Sequence, residues 1–269
     1  MTKKGKRKAL GQHYLHNRAI LRRIVRVIGP QPEETILEIG AGKGILTFAL
    51  AERKANIIAV EKDVSLVPHL RKKDFPNLTI IEEDILKVRF KDLLPTKEAK
   101  VVGNLPYSIS SPILFKVLAE KDSISSCVFL LQKEFAHRLC AQPGSKKYAP
   151  LSIIFQNFFT TRLHFQVSAS SFSPPPEVES ALVSLKKRPA PLFQIAQQEL
   201  FLQFLRGTFR HRRKKLSNNL KRLHFPDPLI KSVLQTCGID KNLRPEDVSL
   251  SQFIELFNHL PKKHNMNHS

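Results

Sequence analysis

The sequence predicts an α/β protein: a mostly parallel sheet with helices on both faces, followed by a small all-helical domain. Three observations predict it. Between Thr35 and Leu131, short apolar runs alternate with helical patterns. A glycine-rich turn follows the first of those runs. After the stretch KKRPAP (186–191) strand signals stop, and only helical periodicity continues, as in ELFLQFLRGTF. Alternating strands and helices imply right-handed crossovers and a parallel sheet covered on both sides.

In chain order, TILEIG (35–40) reads as a buried strand and 44–53 as a helix. NIIAVE (56–61) is a second strand, with a helix near 64–73. LTIIEED (78–84) is a third strand, and KVVGNLPY (100–107) a fourth that runs into a loop. A helix is expected over 112–120, capped by Ser110 or Ser111. CVFLLQ (127–132) is a fifth strand, and 160–167 and 181–186 read as a later antiparallel pair at one edge. Three consecutive prolines in SSFSPPPEVES (170–180) stiffen the loop between them. The expected division is a basic N-terminal arm and first helix over 1–32, a sheet domain over 33–187 and a helical domain over 188–269.

The net charge of +21 is unevenly placed. Residues 1–32 hold nine Lys and Arg and no acid, residues 33–186 twenty bases against seventeen acids, and residues 187–269 fifteen against six. A solvated surface interleaves both signs. Two basic ends on a near-neutral body point to a polyanion, nucleic acid before membrane, since no amphipathic anchor accompanies either end. No run of eighteen apolar residues suggests a membrane span. Cys127, Cys140 and Cys237 are far apart and form no metal spacing, which suits a reducing cytoplasm. The tail histidines His259, His264 and His268 read as a solvated end rather than a metal site.

The turn after the first strand is Glu38-Ile-Gly40-Ala-Gly42-Lys-Gly44. Glycines allow a tight turn and close approach to a ligand, and the next helix offers it an N-terminus. Glu61, at the end of the second strand, can bind both hydroxyls of a ribose. The dinucleotide fingerprint needs glycine where Ile45 stands, and the phosphate-binding loop needs glycine where Leu37 stands. The spacing E-x-G-x-G-x-G is that of S-adenosyl-L-methionine enzymes, so the expected sheet is a Rossmann-like class I methyltransferase. Asp84, ending the third strand, suits the cofactor's adenine amine, or simply caps the strand.

Asn104-Leu105-Pro106-Tyr107 closes the fourth strand. An adenine amine is a poor nucleophile because its lone pair is delocalised into the ring. The Asn104 side-chain carbonyl and the Leu105 backbone carbonyl can accept its two hydrogens and favour a pyramidal nitrogen. Pro106 stiffens the turn, and Tyr107 offers a ring face for an extruded base.

With these motifs in place, the sequence resembles the KsgA/RsmA family of ribosomal RNA small-subunit adenine dimethyltransferases. The resemblance also rests on KRKALGQHYL (6–15), FLLQKEFAHRL (129–139), KKYAPLSIIFQ (146–156), FSPPPEVESALV (172–183) and FRHRRKKLSNNL (209–220). It implies a cofactor site around His13, Leu15, Gly40, Glu61, Asp84 and Asn104, with Gly42 in the same loop, and Phe172 stacking on the base opposite Tyr107. Two positions depart from the pattern: His13 stands where Asn is usual, and Ala41 where Pro is frequent. The implied substrate is a pair of adjacent adenosines near the 3′ end of small-subunit ribosomal RNA within a pre-ribosomal particle, met in the cytoplasm by a monomer. Arg206, Arg210, Arg212, Arg213, Lys214, Lys215, Lys221 and Arg222 would grip its phosphates. Gln132, Lys133 and Glu134 only shape the cleft. Two other readings remain: a methyltransferase of large-subunit RNA, and an assembly factor whose catalysis is dispensable.

Overall fold

The computed structural model describes residues 12–95, 98–195 and 197–261. The basic stretch Lys3–Lys8 and the tail histidines His264 and His268 lie outside the described residues. The described chain begins with a two-residue strand, β1 (Tyr14–Leu15). Asn17 then caps helix α1 (Arg18–Ile28), its side chain accepting from the backbone N–H groups of Ala19 and Ile20. Alternation follows: β2 (Thr35–Ile39), α2 (Ile45–Ala51), β3 (Asn56–Glu61), α3 (Val67–Arg71), β4 (Leu78–Glu82), a single turn α4 (Phe90–Leu93), and β5 (Ala99–Asn104). Next come α5 (Ser110–Ala119), β6 (Ile124–Gln132), α6 (Lys133–Leu139), α7 (Pro150–Phe158), β7 (Phe159–Val167), β8 (Phe172–Ser173) and β9 (Ser180–Lys187). Four more helices follow among the described residues: α8 (Gln198–Thr208), α9 (Leu216–Arg222), α10 (Asp227–Thr236) and α11 (Leu250–His259).

The seven-stranded sheet has the order β4-β3-β2-β5-β6-β9-β7. The strands from β4 to β6 pair in parallel, and β9 runs antiparallel to β6. All five residues of β2 are buried, as expected for a strand covered on both faces. The register sets Ile39 beside Val60, and Glu61 beside Glu82. The carboxyl ends of β2, β3, β4 and β5 therefore open on the same rim, where open α/β sheets place ligands. Ile24, Val25 and Ile28 of α1 join the buried cluster of Ile36, Ala59, Val102 and Leu130.

Two features differ from expectation at the element level. The helix expected over 112–120 starts at Ser110 without a side-chain cap, because the Ser110 hydroxyl donates to the Pro106 carbonyl instead. A two-stranded sheet unseen in the sequence pairs β1 with β8, Leu15 opposite Phe172. Strands this short carry no periodicity.

The domain division also differs. The chain forms two compact units: the first runs to Ala136 and resumes over Thr160–Lys187, and the second takes His137–Phe159 together with the described residues from Arg188 onward. The expected spans 33–187 and 188–269 therefore misplace His137–Phe159. That segment carries the buried apolar run Leu151, Ile153, Ile154 and Phe155, and α7 packs on α8. The second unit is built around aromatic rings. Phe201 meets Phe257 edge-on at 5.2 Å, and Phe209 meets Phe253 at 5.6 Å.

Gly103, one residue before Asn104, shows how tight the strand ends are. A Cβ there would lie 2.6 Å from the Ile39 carbonyl oxygen, a backbone atom of the neighbouring strand. Gly103→Ala should cost about 1–3 kcal/mol of stability, read as a lower urea midpoint at unchanged slope. An unchanged midpoint would show that the two strands can separate freely.

Candidate active site at the carboxyl ends of the central strands

A cavity of about 290 Å³ opens on this rim, at the lower end of the size range of ligand sites. It lies within the first unit. Every residue expected to hold cofactor or base lines it: His13, Leu15, Gly40, Gly42, Glu61, Asp84, Asn104, Leu105, Pro106, Tyr107 and Phe172. They come from six separate stretches of chain, gathered by the parallel register and by the β1–β8 pair.

Glu61 organises the glycine loop. It is only 4% exposed. One carboxylate oxygen accepts from the Gly42 N–H at 2.7 Å and the other from the Asp63 N–H at 2.8 Å. Such charge-assisted bonds are about twice as strong as neutral ones. Gly42 has a φ of 59°, and a Cβ on it would press the Tyr14 ring at 3.2 Å. Only glycine satisfies both constraints. Tyr14 packs over the loop, with Lys43 reaching across its ring at 4.9 Å.

Asn104 is oriented by a single bond. Its amide nitrogen donates to the His13 carbonyl at 2.9 Å. A carbonyl accepts only from the NH₂ end, so the amide oxygen of Asn104 is left as an acceptor. The carbonyl of Pro106 is taken by the Ile109 N–H and the Ser110 hydroxyl. Tyr107 is held at its far end by a 2.8 Å bond between its hydroxyl and Ser180. Burial pushes its phenol above the usual value, with the Ser180 bond acting in the opposite sense. The His13 ring lies 5.8 Å from the Tyr107 ring, and its Nδ1 is 2.8 Å from the Pro174 carbonyl. That contact requires a proton on Nδ1. Phe172 is only 3% exposed, so it can offer a base only the part of its ring that walls the cavity.

Two further side chains at the cavity, Tyr14 and Lys62, were not singled out in the sequence, and Glu38 was read only as the first residue of the glycine motif, with no role of its own. Lys62 pairs with Asp84 at 2.7 Å. The Lys62 bond is the main cause holding the Asp84 carboxyl below its usual range. Glu38 opens the glycine motif and is 2% exposed. Burial pushes its pKa up to about 7; the Thr47 hydroxyl pulls it down and the charge of Glu61 adds to the rise. Apart from that Thr47 contact, the buried Oε2 of Glu38 has no hydrogen-bond partner. Only the fold shows Glu38 lining the cavity.

The ribosomal RNA adenine dimethylase family model matches residues 3–262. The chain belongs to that family. A relative from Geobacter metallireducens, named ribosomal RNA small subunit methyltransferase A, is 41% identical over 257 residues, covering 93% of this chain and 94% of its own. The Geobacter sulfurreducens protein of the same name is 42% identical, with 93% of each chain covered. Among solved structures, a dimethyladenosine transferase from Plasmodium falciparum matches with a TM-score of 0.78 at 27% identity, over 91% of this chain and 96% of its own. The 23S rRNA methyltransferase ErmE matches with a TM-score of 0.72 at 26% identity, over 92% and 99%. Like these, this ribosomal RNA adenine dimethylase has a Rossmann-like α/β sheet.

The basic residues expected to hold RNA lie in the second unit of this family member. Arg206, Arg210, Arg213, Lys214, Lys215, Lys221 and Arg222 are exposed. Lys214, Lys221 and Arg222 line a shallow groove with Asn218. Lys221 pairs with Asp227 at 2.8 Å, and Lys215 donates to Asn242 at 2.6 Å. Arg212 departs from expectation. Its guanidinium donates to the carbonyls of Lys146 and Tyr148 and lies 3.6 Å from the Glu246 carboxylate. Removing it would take a donor from the part-buried Tyr148 carbonyl, so Arg212 also braces its own unit.

Glu38 gives a pH signature. Its folded pKa, about 7, lies above the reference value of 4.5. The folded state holds this proton more tightly, so stability from Glu38 is full below about 4.5 and is lost as pH rises through about 7. The melting temperature of wild type should fall across that window, and Glu38→Gln should flatten the fall. Parallel curves for the two proteins would show that Glu38 is already ionised in the fold.

Proposed function

We propose that this enzyme transfers methyl groups from S-adenosyl-L-methionine to the exocyclic amines of two adjacent adenosines near the 3′ end of 16S ribosomal RNA. The products are dimethyladenosines formed during small-subunit biogenesis. The observation that carries this reading is the orientation of Asn104. Its amide nitrogen is spent on the His13 carbonyl, which leaves its oxygen as an acceptor in a cavity walled by Tyr107. The names of the curated relatives support the small-subunit substrate.

The residues present fit the cofactor. Glu61 stands at a strand end with two oxygens already aligned by backbone bonds, each keeping a lone pair for a ribose hydroxyl. Asp84 faces the same cavity and suits an adenine amine once Lys62 shares it. Glu38 offers an unpartnered buried oxygen to a cationic end. When bound, S-adenosyl-L-methionine supplies an electrophilic methyl group on a sulfonium.

The chain's own residues then act mainly by placement. Tyr107 receives the extruded base, and its hydroxyl bond to Ser180 keeps the ring from turning. Asn104 and the Leu105 carbonyl accept the two amine hydrogens and aim the lone pair at the methyl carbon. Phe172 closes the opposite wall. Orientation of this kind contributes about 7–11 kcal/mol in favourable cases. Every one of these groups comes from one chain, which suits a monomer. The exposed bases of the second unit suit the phosphates of a partly assembled particle in the cytoplasm.

Comparing both ribosomal RNAs by mass spectrometry, with and without the protein, tests the substrate. Loss of the paired dimethyladenosines from 16S RNA alone is the expected result. Modification of 23S RNA instead would assign the enzyme to the large subunit, and modification of neither would leave an assembly factor. Glu61→Ala should lose bonds worth about 1.5–3 kcal/mol each, seen by calorimetry as a large drop in S-adenosyl-L-methionine affinity. Unchanged affinity would remove Glu61 from the cofactor site.

Asn104→Ala should cut the transfer rate far more than RNA affinity, because the bond matters most when the amine is pyramidal. Equal losses would make Asn104 a binding residue. Tyr107→Phe should cost little and Tyr107→Ala much. Equal effects would give the work to the hydroxyl.

A further inference from the structure

Helix α1 carries a charge pattern that folding does not explain. Arg18, Arg22 and Arg26 repeat every four residues and so share one face. All three are exposed. Like charges four apart on a helix repel, and an arginine at the first helical position opposes the helix dipole. No acidic residue occurs in the described chain before Glu33 to offset them. Among the described residues, no carboxylate forms an ion pair with any of the three. A fourth arginine, Arg23, is held 3.8 Å over the Phe165 ring and stands apart from the row.

The row lies close to the active site within the same unit. Asn17, the cap of α1, follows Leu15 by two residues, and Leu15 lines the cavity. Ile24 of α1 lines it as well. The helix therefore has one face on the cavity and core, and its arginine face outward. Its apolar residues Ile24, Val25 and Ile28 are buried. That excludes the membrane-anchor reading, which needs an apolar face free to enter lipid. The three guanidiniums span about 12 Å along the axis, at about 6 Å per step. Each has several N–H donors and a permanent charge, the chemistry that grips phosphate.

We propose that Arg18, Arg22 and Arg26 form a phosphate-binding track on the catalytic unit that holds the RNA strand flanking the target adenosines. The track rests on the reading that the substrate is RNA. It assigns backbone contact to the unit that performs the chemistry, in addition to the basic groove of the helical unit. Phosphate contacts position without reading sequence. The track therefore sets how the strand enters the cavity, not which bases are chosen.

The test is a salt series of binding to a single-stranded 16S 3′-terminal RNA and to polyadenylate. Three proteins are compared: wild type, the triple variant Arg18→Gln, Arg22→Gln, Arg26→Gln, and the corresponding triple Lys variant. Glutamine and lysine are both good helix formers, so α1 should persist. Each phosphate contact on single strands contributes about −0.7 to the slope of log affinity against log salt, so three contribute about −2. Over a fourfold rise in salt, wild type should lose about 20-fold more affinity than the Gln triple. The Lys triple should keep the wild-type slope, and calorimetry with S-adenosyl-L-methionine should be unchanged in all three. A Gln triple with the wild-type slope would overturn the track. Absence of methylation by wild type would instead defeat the enzymatic reading, and the binding slopes would still decide the track.

Discussion

The 2.9 Å bond from the Asn104 amide to the His13 carbonyl joins residues 91 positions apart. The rest of the site depends on it. It turns Asn104 so that an acceptor faces the cavity, and it holds the N-terminal strand across the mouth of the sheet. The same strand pairs with β8, so Phe172 is placed by the segment that places Asn104. His13 adds a third tie through its ring to Pro174. One short stretch thus fixes two walls of the cavity. An aspartate at 104 would keep an acceptor but lose the tie, and an apolar side chain would lose both.

Charge within the first unit follows a related logic. Glu61 is buried but met by two backbone donors, one on each carboxylate oxygen. Glu38, deeper and without such donors, favours its neutral form. The arginines stand outside on α1 and on the helical unit. A negative interior suits a cationic cofactor, and a positive exterior suits a polyanion.

Much of this was legible in the sequence because it is carried by local spacing. The strand–glycine–helix turn, Glu61 one strand later, and Asn104 to Tyr107 at the fourth strand end are short signals. The structure brings them into one cavity. What was not legible depends on contacts distant in sequence. Glu38 marks the glycine motif, but only the fold shows its side chain buried at the cavity. Arg212 looks like its basic neighbours until its guanidinium is seen facing the Lys146 and Tyr148 carbonyls. The β1–β8 pair is too short for a periodic pattern, and residues 137–159 join the helical unit through packing that no local pattern announces.

The interleaving of the two units has a consequence for how the protein is made. A chain emerging from its amino terminus can complete the sheet once Lys187 is available. Residues 137–159 have emerged by then with Ile153, Ile154 and Phe155, which are fully buried in the finished protein. Their packing partner α8 (Gln198–Thr208) has yet to be synthesised. During that interval the nascent chain carries a solvent-exposed apolar segment anchored to a finished domain, the form of intermediate most open to aggregation or to capture by chaperones.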